Sequence, residues 1–150
     1  MKIALTLVLG ESKDGLGDFL RFHRDAGVDV VVVGGASAAE ALEPYLRAGF
    51  VRLVERGVSQ SELACVAANE LGAEWVIPGA LEEVWWPRGE SLKDVLAVIP
   101  PRYGVVQGLL RTFVGATEQS EAGSSVFASR TVRTSLLGPD GSDGASPTEL

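Results

Sequence analysis

Val28-Asp29-Val30-Val31-Val32-Val33, closed by Gly34-Gly35, is a run made almost entirely of valine. Two heavy atoms on Cβ favour extended backbone, so the run reads as a strand. A strand with one wet face would alternate apolar and polar residues. This one does not, and burial on both faces is expected, as in a parallel sheet. Upstream, Ile3 to Leu9 is a second apolar, β-branched run bounded by Gly10. Between the two, Leu16, Phe19, Leu20 and His23 recur at helical spacing, and Gly27 stands where a helix C-terminal glycine belongs.

The same unit repeats downstream. Ser37 and Glu40 have capping-box spacing and open a second helix with an apolar face of Leu42, Tyr45 and Leu46, ended by Gly49. Phe50 to Val54 is the third strand. Ser59 and Glu62 repeat the capping box, Leu63, Val66, Ala67 and Leu71 form the next stripe, and Gly72 closes it. Glu74 to Pro78 is the fourth strand. Strand–helix–strand units with short loops imply right-handed crossovers and a mostly parallel central sheet in an α/β fold.

The pattern changes after residue 79. Gly79 to Gly89 is a loop with paired acids and paired tryptophans, and Ser91 and Asp94 start a short helix that stops before Pro100-Pro101. Tyr103 to Gln107 and Leu110 to Val114 read as strands, Gly115 to Ser125 as a mobile loop, and the parity of Val126, Ala128, Val132, Thr134 and Leu136 as a further strand or pair of strands. Residues 1–137 are expected to form the domain. Residues 138–150, rich in Gly, Ser, Asp and Pro, are expected to be a disordered tail.

Composition narrows the function classes. The chain has 150 residues, enough for a single domain with a core, and 46% of them are hydrophobic. A net charge of −7 argues against a nucleic-acid partner and against attraction to anionic membranes. No apolar run reaches the length of about 20 residues that a membrane span needs. Met1-Lys2-Ile3-Ala4-Leu5 is too short and regular for a signal peptide, and a cytoplasmic location is expected. The single cysteine, Cys65, excludes an internal disulfide and reads as a buried, inert thiol. Oligomeric state is not legible.

Most short motifs fail on spacing. Gly10-x4-Gly15 begins like a phosphate loop, but Leu16-Gly17 stands where lysine and a hydroxyl are required, and Gly15-x-Gly17 is not completed by a third glycine. His23, the one histidine, lies on the apolar stripe and is expected to be packed or hydrogen-bonded. Glu82 and Glu83 are the acidic pair after the fourth strand, where ligands of open α/β sheets bind. A carboxylate there suits a divalent cation that bridges a diphosphate; the plainer reading is a solvated loop. Trp85-Trp86 suit packing, a lid, an interface or stacking on a sugar or base.

The segment Leu71-Gly-Ala-Glu-Trp-Val-Ile-Pro-Gly-Ala-Leu-Glu-Glu-Val-Trp-Trp-Pro87 resembles the Asp-x-Asp stretch of family 2-like glycosyltransferases. Ser91-Leu-Lys-Asp-Val-Leu96 and Ile99-Pro-Pro-Arg-Tyr-Gly-Val-Val106 are similar to that family's next helix and strand, and Phe19-Leu-Arg-Phe-His-Arg-Asp-Ala-Gly-Val-Asp29 to its first helix. In all, the resemblance runs from about residue 3 to 141. It implies a GT-A-like (Rossmann-like) three-layer sandwich that binds a nucleotide-diphosphate sugar, with Mn²⁺ or Mg²⁺ held against the diphosphate. On this resemblance Glu82 is the metal ligand, Glu83 the catalytic acid or base, and Glu11, Gly34, Gly35 and Ser37 flank the nucleotide.

The departures are specific. The family's first aspartate falls on Ala80, its arginine and amide or acid after the first strand on Leu9 and Gly10, and its Asp-Asn after the second strand on Gly34 and Gly35. Two functions therefore compete. One is transfer of a sugar from a nucleotide donor to an unknown acceptor, weakened or lost. The other is a catalytically inactive GT-A-like domain that binds a protein partner or scaffolds. A Rossmann or flavodoxin-type nucleotide domain is a third class, for strand order to decide.

Overall fold

A computed structural model of the chain describes residues 1–10, 13–35, 39–54, 59–110, 113–114 and 132–133. Four strands, β1 (Ile3–Val8), β2 (Val30–Gly34), β3 (Val51–Val54) and β4 (Trp75–Gly79), form one sheet in the order β3-β2-β1-β4. Every pairing in it is parallel. The register sets Ala4 beside Val30 and Val76, and Thr6 beside Val32 and Pro78. The valine run of β2 is buried from end to end, as its lack of alternation requires.

The helices cover both faces. Helix α1 (Leu16–Asp25) buries Leu16, Phe19, Leu20 and His23, the stripe read from the sequence. It ends at Gly27, whose φ of 99° suits glycine. Helix α2 (Ala39–Arg47) lies beside α1, with the Tyr45 hydroxyl donating to the Gly17 carbonyl. It tolerates Pro44 at the cost of one intrahelical bond, to the Glu40 carbonyl. Ser37, the expected cap of α2, lies outside the described residues.

Helix α3 (Gln60–Cys65) packs on the other face, where Leu63 and Ala67 join Ala4, Val30 and Val32 in a buried cluster. Its expected capping box is complete. The Ser59 side chain accepts from the Glu62 amide, and the Glu62 carboxylate accepts from the Ser59 amide. The Ser59 amide and the Ser59 hydroxyl both donate to the Glu62 carboxylate, and these two bonds hold it below its ordinary range. The helix then widens into a π turn over Val66–Glu70, closed by the Leu71 amide on the Val66 carbonyl at 3.2 Å. Cys65 is exposed, against expectation. With Leu63 and Ala67 turned inward four residues apart, a residue two positions on from Leu63 faces solvent.

Helix α4 (Leu92–Ala97) starts at Ser91, whose hydroxyl accepts from the Asp94 amide. It docks below the N-terminal ends of the strands. The Leu92 amide donates to Ala26 O, and Lys93 pairs with Asp29, whose other oxygen accepts from the Ile3 amide. Partial burial alone would raise the Asp29 carboxyl. The hydrogen bonds from Lys93 and Ile3 outweigh it and hold the group below its usual value.

The chain divides into two compact units, residues 1–102 and 103–150. In the second, β5 (Phe113–Val114) pairs antiparallel with β6 (Val132–Arg133). The strand expected over Tyr103–Gln107 is absent. Val105-Val106 is a short β-branched pair set among Gly104 and Gly108, too little to hold a strand without a partner. The other expectations for Gly115–Ser125, Val126–Leu136 beyond β6, and residues 138–150 lie outside the described residues. No helix among the described residues is long and apolar enough to cross a membrane.

Candidate functional site

In the order β3-β2-β1-β4 the chain leaves β1 for one side of the sheet and later returns to the other side as β4. The crevice where strand order reverses lies between the C-terminal ends of these two strands, and open α/β sheets place ligands there. The segments at this edge are Leu9-Gly10 after β1, Gly34-Gly35 at the end of β2 and Ala80–Glu83 after β4.

Backbone proximity governs the first two. The Leu9 amide donates to Gly34 O at 2.9 Å, and the Gly35 amide reaches Val54 O at 3.4 Å. Gly35 has φ 120°, and a Cβ on it would stand 3.2 Å from Leu9 O. Only glycine meets both conditions without displacing the end of β1. Glu11 and Ser37, the other residues expected to flank a nucleotide, lie outside the described residues.

The acidic pair sits on a tight turn. Ala80-Leu81-Glu82-Glu83 is closed by the Glu83 amide on Ala80 O at 3.0 Å, and both glutamates are exposed. The turn starts at Gly79, where a Cβ would stand 3.2 Å from Leu5 and 3.5 Å from the tip of Phe19. Among the described residues, no group of three or more His, Cys, Asp and Glu side chains is assembled that could hold a metal ion. Two exposed carboxylates are nevertheless the complement with which Mg²⁺-type cations are held when substrate phosphates supply further oxygens. The pair alone does not fit a resident structural ion, which draws its ligands from the protein.

The rest of the loop is tied down by Trp85. Its main-chain N–H donates to His23 Nε2 at 3.2 Å, and its indole N–H donates to Pro78 O at 3.1 Å. Since the Trp75 amide points to β1, the alternating Pro78 faces the outer edge of the sheet. Its ring offers no N–H there, and Trp85 occupies its carbonyl, so neither group invites another strand. Trp86 is exposed and meets Phe22 edge-on with ring centroids 6.3 Å apart.

His23 is fully buried against Phe19 and Phe22. Its Nδ1 lies 2.9 Å from Phe19 O, which can only accept, so Nδ1 carries the proton. Nε2 is left as the acceptor for Trp85, and the ring is neutral. Burial pushes the pKa down to about 4, partly offset by the Phe19 hydrogen bond. The expectation of a packed, hydrogen-bonded histidine is met. Its partner, 62 residues away, carries no local sequence signal.

Gln60, at the start of α3, was not singled out by the sequence. Its amide nitrogen donates to Thr6 O at 3.0 Å and approaches Gly79 O at 3.4 Å, bridging β1 and β4 at the crevice. Beside it lies an open cleft of about 240 Å³ lined by Thr6, Gln60, Ser61, Ala64, Val76 and Pro78. A glutamine after a helix cap is too common to mark such a bridge in advance. Set beside known proteins, the chain matches no family model, no curated protein and no solved structure.

Proposed function

We propose that the chain is a glycosyltransferase-like domain of GT-A type that binds a nucleotide-diphosphate sugar at the C-terminal ends of β1, β2 and β4. The observation that carries this reading is the place of the Glu82–Glu83 turn, which leaves the sheet where strand order reverses between β1 and β4. The order itself departs from the flavodoxin type and is shared with Rossmann-type domains. The resemblance of residues 71–87 to the family's metal-binding stretch supports it independently. A cytoplasmic setting goes with this reading.

In the proposed chemistry Glu82 helps hold Mn²⁺ or Mg²⁺, and Glu83 takes the proton from the acceptor hydroxyl. The acceptor oxygen bonds to the anomeric carbon as the bond from that carbon to the diphosphate oxygen breaks, and the nucleoside diphosphate leaves. The bound cation supplies charge neutralisation for that leaving group. On this reading the nucleotide lies beside Gly34 and Gly35, where the end of β2 carries no side chain.

A second reading is an inactive GT-A-like domain that serves as a binding or scaffold protein. Ala80 favours it, since no carboxylate stands there, and so does Gly35, where the family's amide side chain would be strained at φ 120° and would crowd Leu9 O. Calorimetric titration with UDP- and GDP-sugars, with and without Mn²⁺, separates the two. The transferase reading expects Mn²⁺-dependent heat that weakens at least about tenfold in the Glu82→Ala/Glu83→Ala double variant. Absence of heat at millimolar nucleotide would rule out the donor site and leave the scaffold reading.

A further inference from the structure

We propose that His23 is a positioning residue that latches the acidic loop to helix α1 and so sets where Glu82 and Glu83 stand at the end of β4. What the loop positions rests on the sugar-nucleotide reading; the latch itself rests on geometry alone. Residues 80–90 contain neither helix nor strand. At one end the loop is fixed by Gly79, packed on Leu5 and Phe19. At the other it is fixed at Trp85, both of whose N–H groups are committed, one to His23 and one to Pro78. Glu82 and Glu83 lie on the span between these two points. The Pro78 bond ties the loop back to its own strand. Among the described residues, the His23 bond is the hydrogen bond that joins it to a helix.

The choice of histidine follows from the chemistry. The position needs an apolar flat body between Phe19 and Phe22, a donor for Phe19 O and an acceptor for an incoming main-chain N–H. A neutral imidazole with its proton on Nδ1 supplies all three. Leucine would fill the volume and leave the Trp85 amide without an acceptor. Glutamine keeps an acceptor near the Nε2 position.

The test compares wild type with His23→Leu and His23→Gln by amide hydrogen exchange, followed by titration with UDP-sugar and Mn²⁺. In His23→Leu the Trp85 and Glu83 amides should exchange about tenfold faster while those of β1 and β2 keep their protection. His23→Gln should restore protection. The donor affinity should fall about tenfold in His23→Leu and recover in His23→Gln. Unchanged exchange at Trp85, or an equal rise throughout β1 and β2, would overturn the latch. Local loosening in a protein that binds no nucleotide in any form would uphold the latch and reject the transferase reading. Imidazole ¹⁵N shifts of the wild type need no variant: a proton on Nε2 at neutral pH would overturn the proposal, because that nitrogen could not then accept from Trp85.

Discussion

At His23, burial outweighs the Phe19 hydrogen bond and holds the ring neutral, as the bond accepted from Trp85 requires, and this gives the fold a defined response to acid. The ring's pKa falls from 6.5 to about 4 in the folded chain. Above pH 6.5 folded and unfolded chains both hold it neutral. Below that, the unfolded chain binds a proton that the folded one refuses, so stability declines as pH falls from about 6.5 to about 4. The full loss through this one group is roughly 3 kcal/mol. Urea unfolding across that window should show the decline in wild type and a flatter profile in His23→Gln; parallel profiles would exclude it. The sequence placed His23 on the apolar stripe because the spacing from Leu16, Phe19 and Leu20 is local. It marked Trp85 but not its bond to His23, because a contact 62 residues apart has no period. Gly35 is a similar case: its presence is visible, but the 3.2 Å approach to Leu9 O that requires it is not.

At the level of elements, capping chemistry was the most legible signal. Ser59 and Glu62 satisfy two amides reciprocally at the start of α3, a helix with one buried side chain of its own, Leu63, followed by Ala67 in the π turn. Removal of the hydroxyl in Ser59→Ala should cost about 1 kcal/mol, read as a lower urea midpoint at constant slope. An unchanged midpoint would show that packing alone holds the helix end. Where elements departed from expectation, a neighbour decided. Cys65 faces solvent because Leu63 and Ala67 claim the inner face. The π turn over Val66–Glu70 delivers Ala73 to its bond with Ala67 O, a requirement of the connection into β4 that no helical propensity records. Tyr103–Gln107 failed as a strand because a β-branched pair specifies extended backbone and not a partner.

For the molecule as a whole, the valine run of β2 foretold the central fact, a parallel sheet buried on both faces. Order was not readable from periodicity, since β1-α1-β2 and β3-α3-β4 units have the same pattern whichever way the sheet grows. The order β3-β2-β1-β4 turns three separate strand ends into neighbours, and with them the Gly10, Gly34-Gly35 and Ala80–Glu83 segments. Whether they act together as a donor site is the core of the account. The direct measurement is amide chemical-shift mapping of the ¹⁵N-labelled chain during titration with a UDP- or GDP-sugar and Mg²⁺. The account expects shifts at Gly10, Gly34, Gly35 and Ala80–Glu83, with α4 from Leu92 to Ala97 unmoved. Shifts confined to the cleft at Ser61, Ala64 and Val76, or no shifts at millimolar nucleotide, would contradict it.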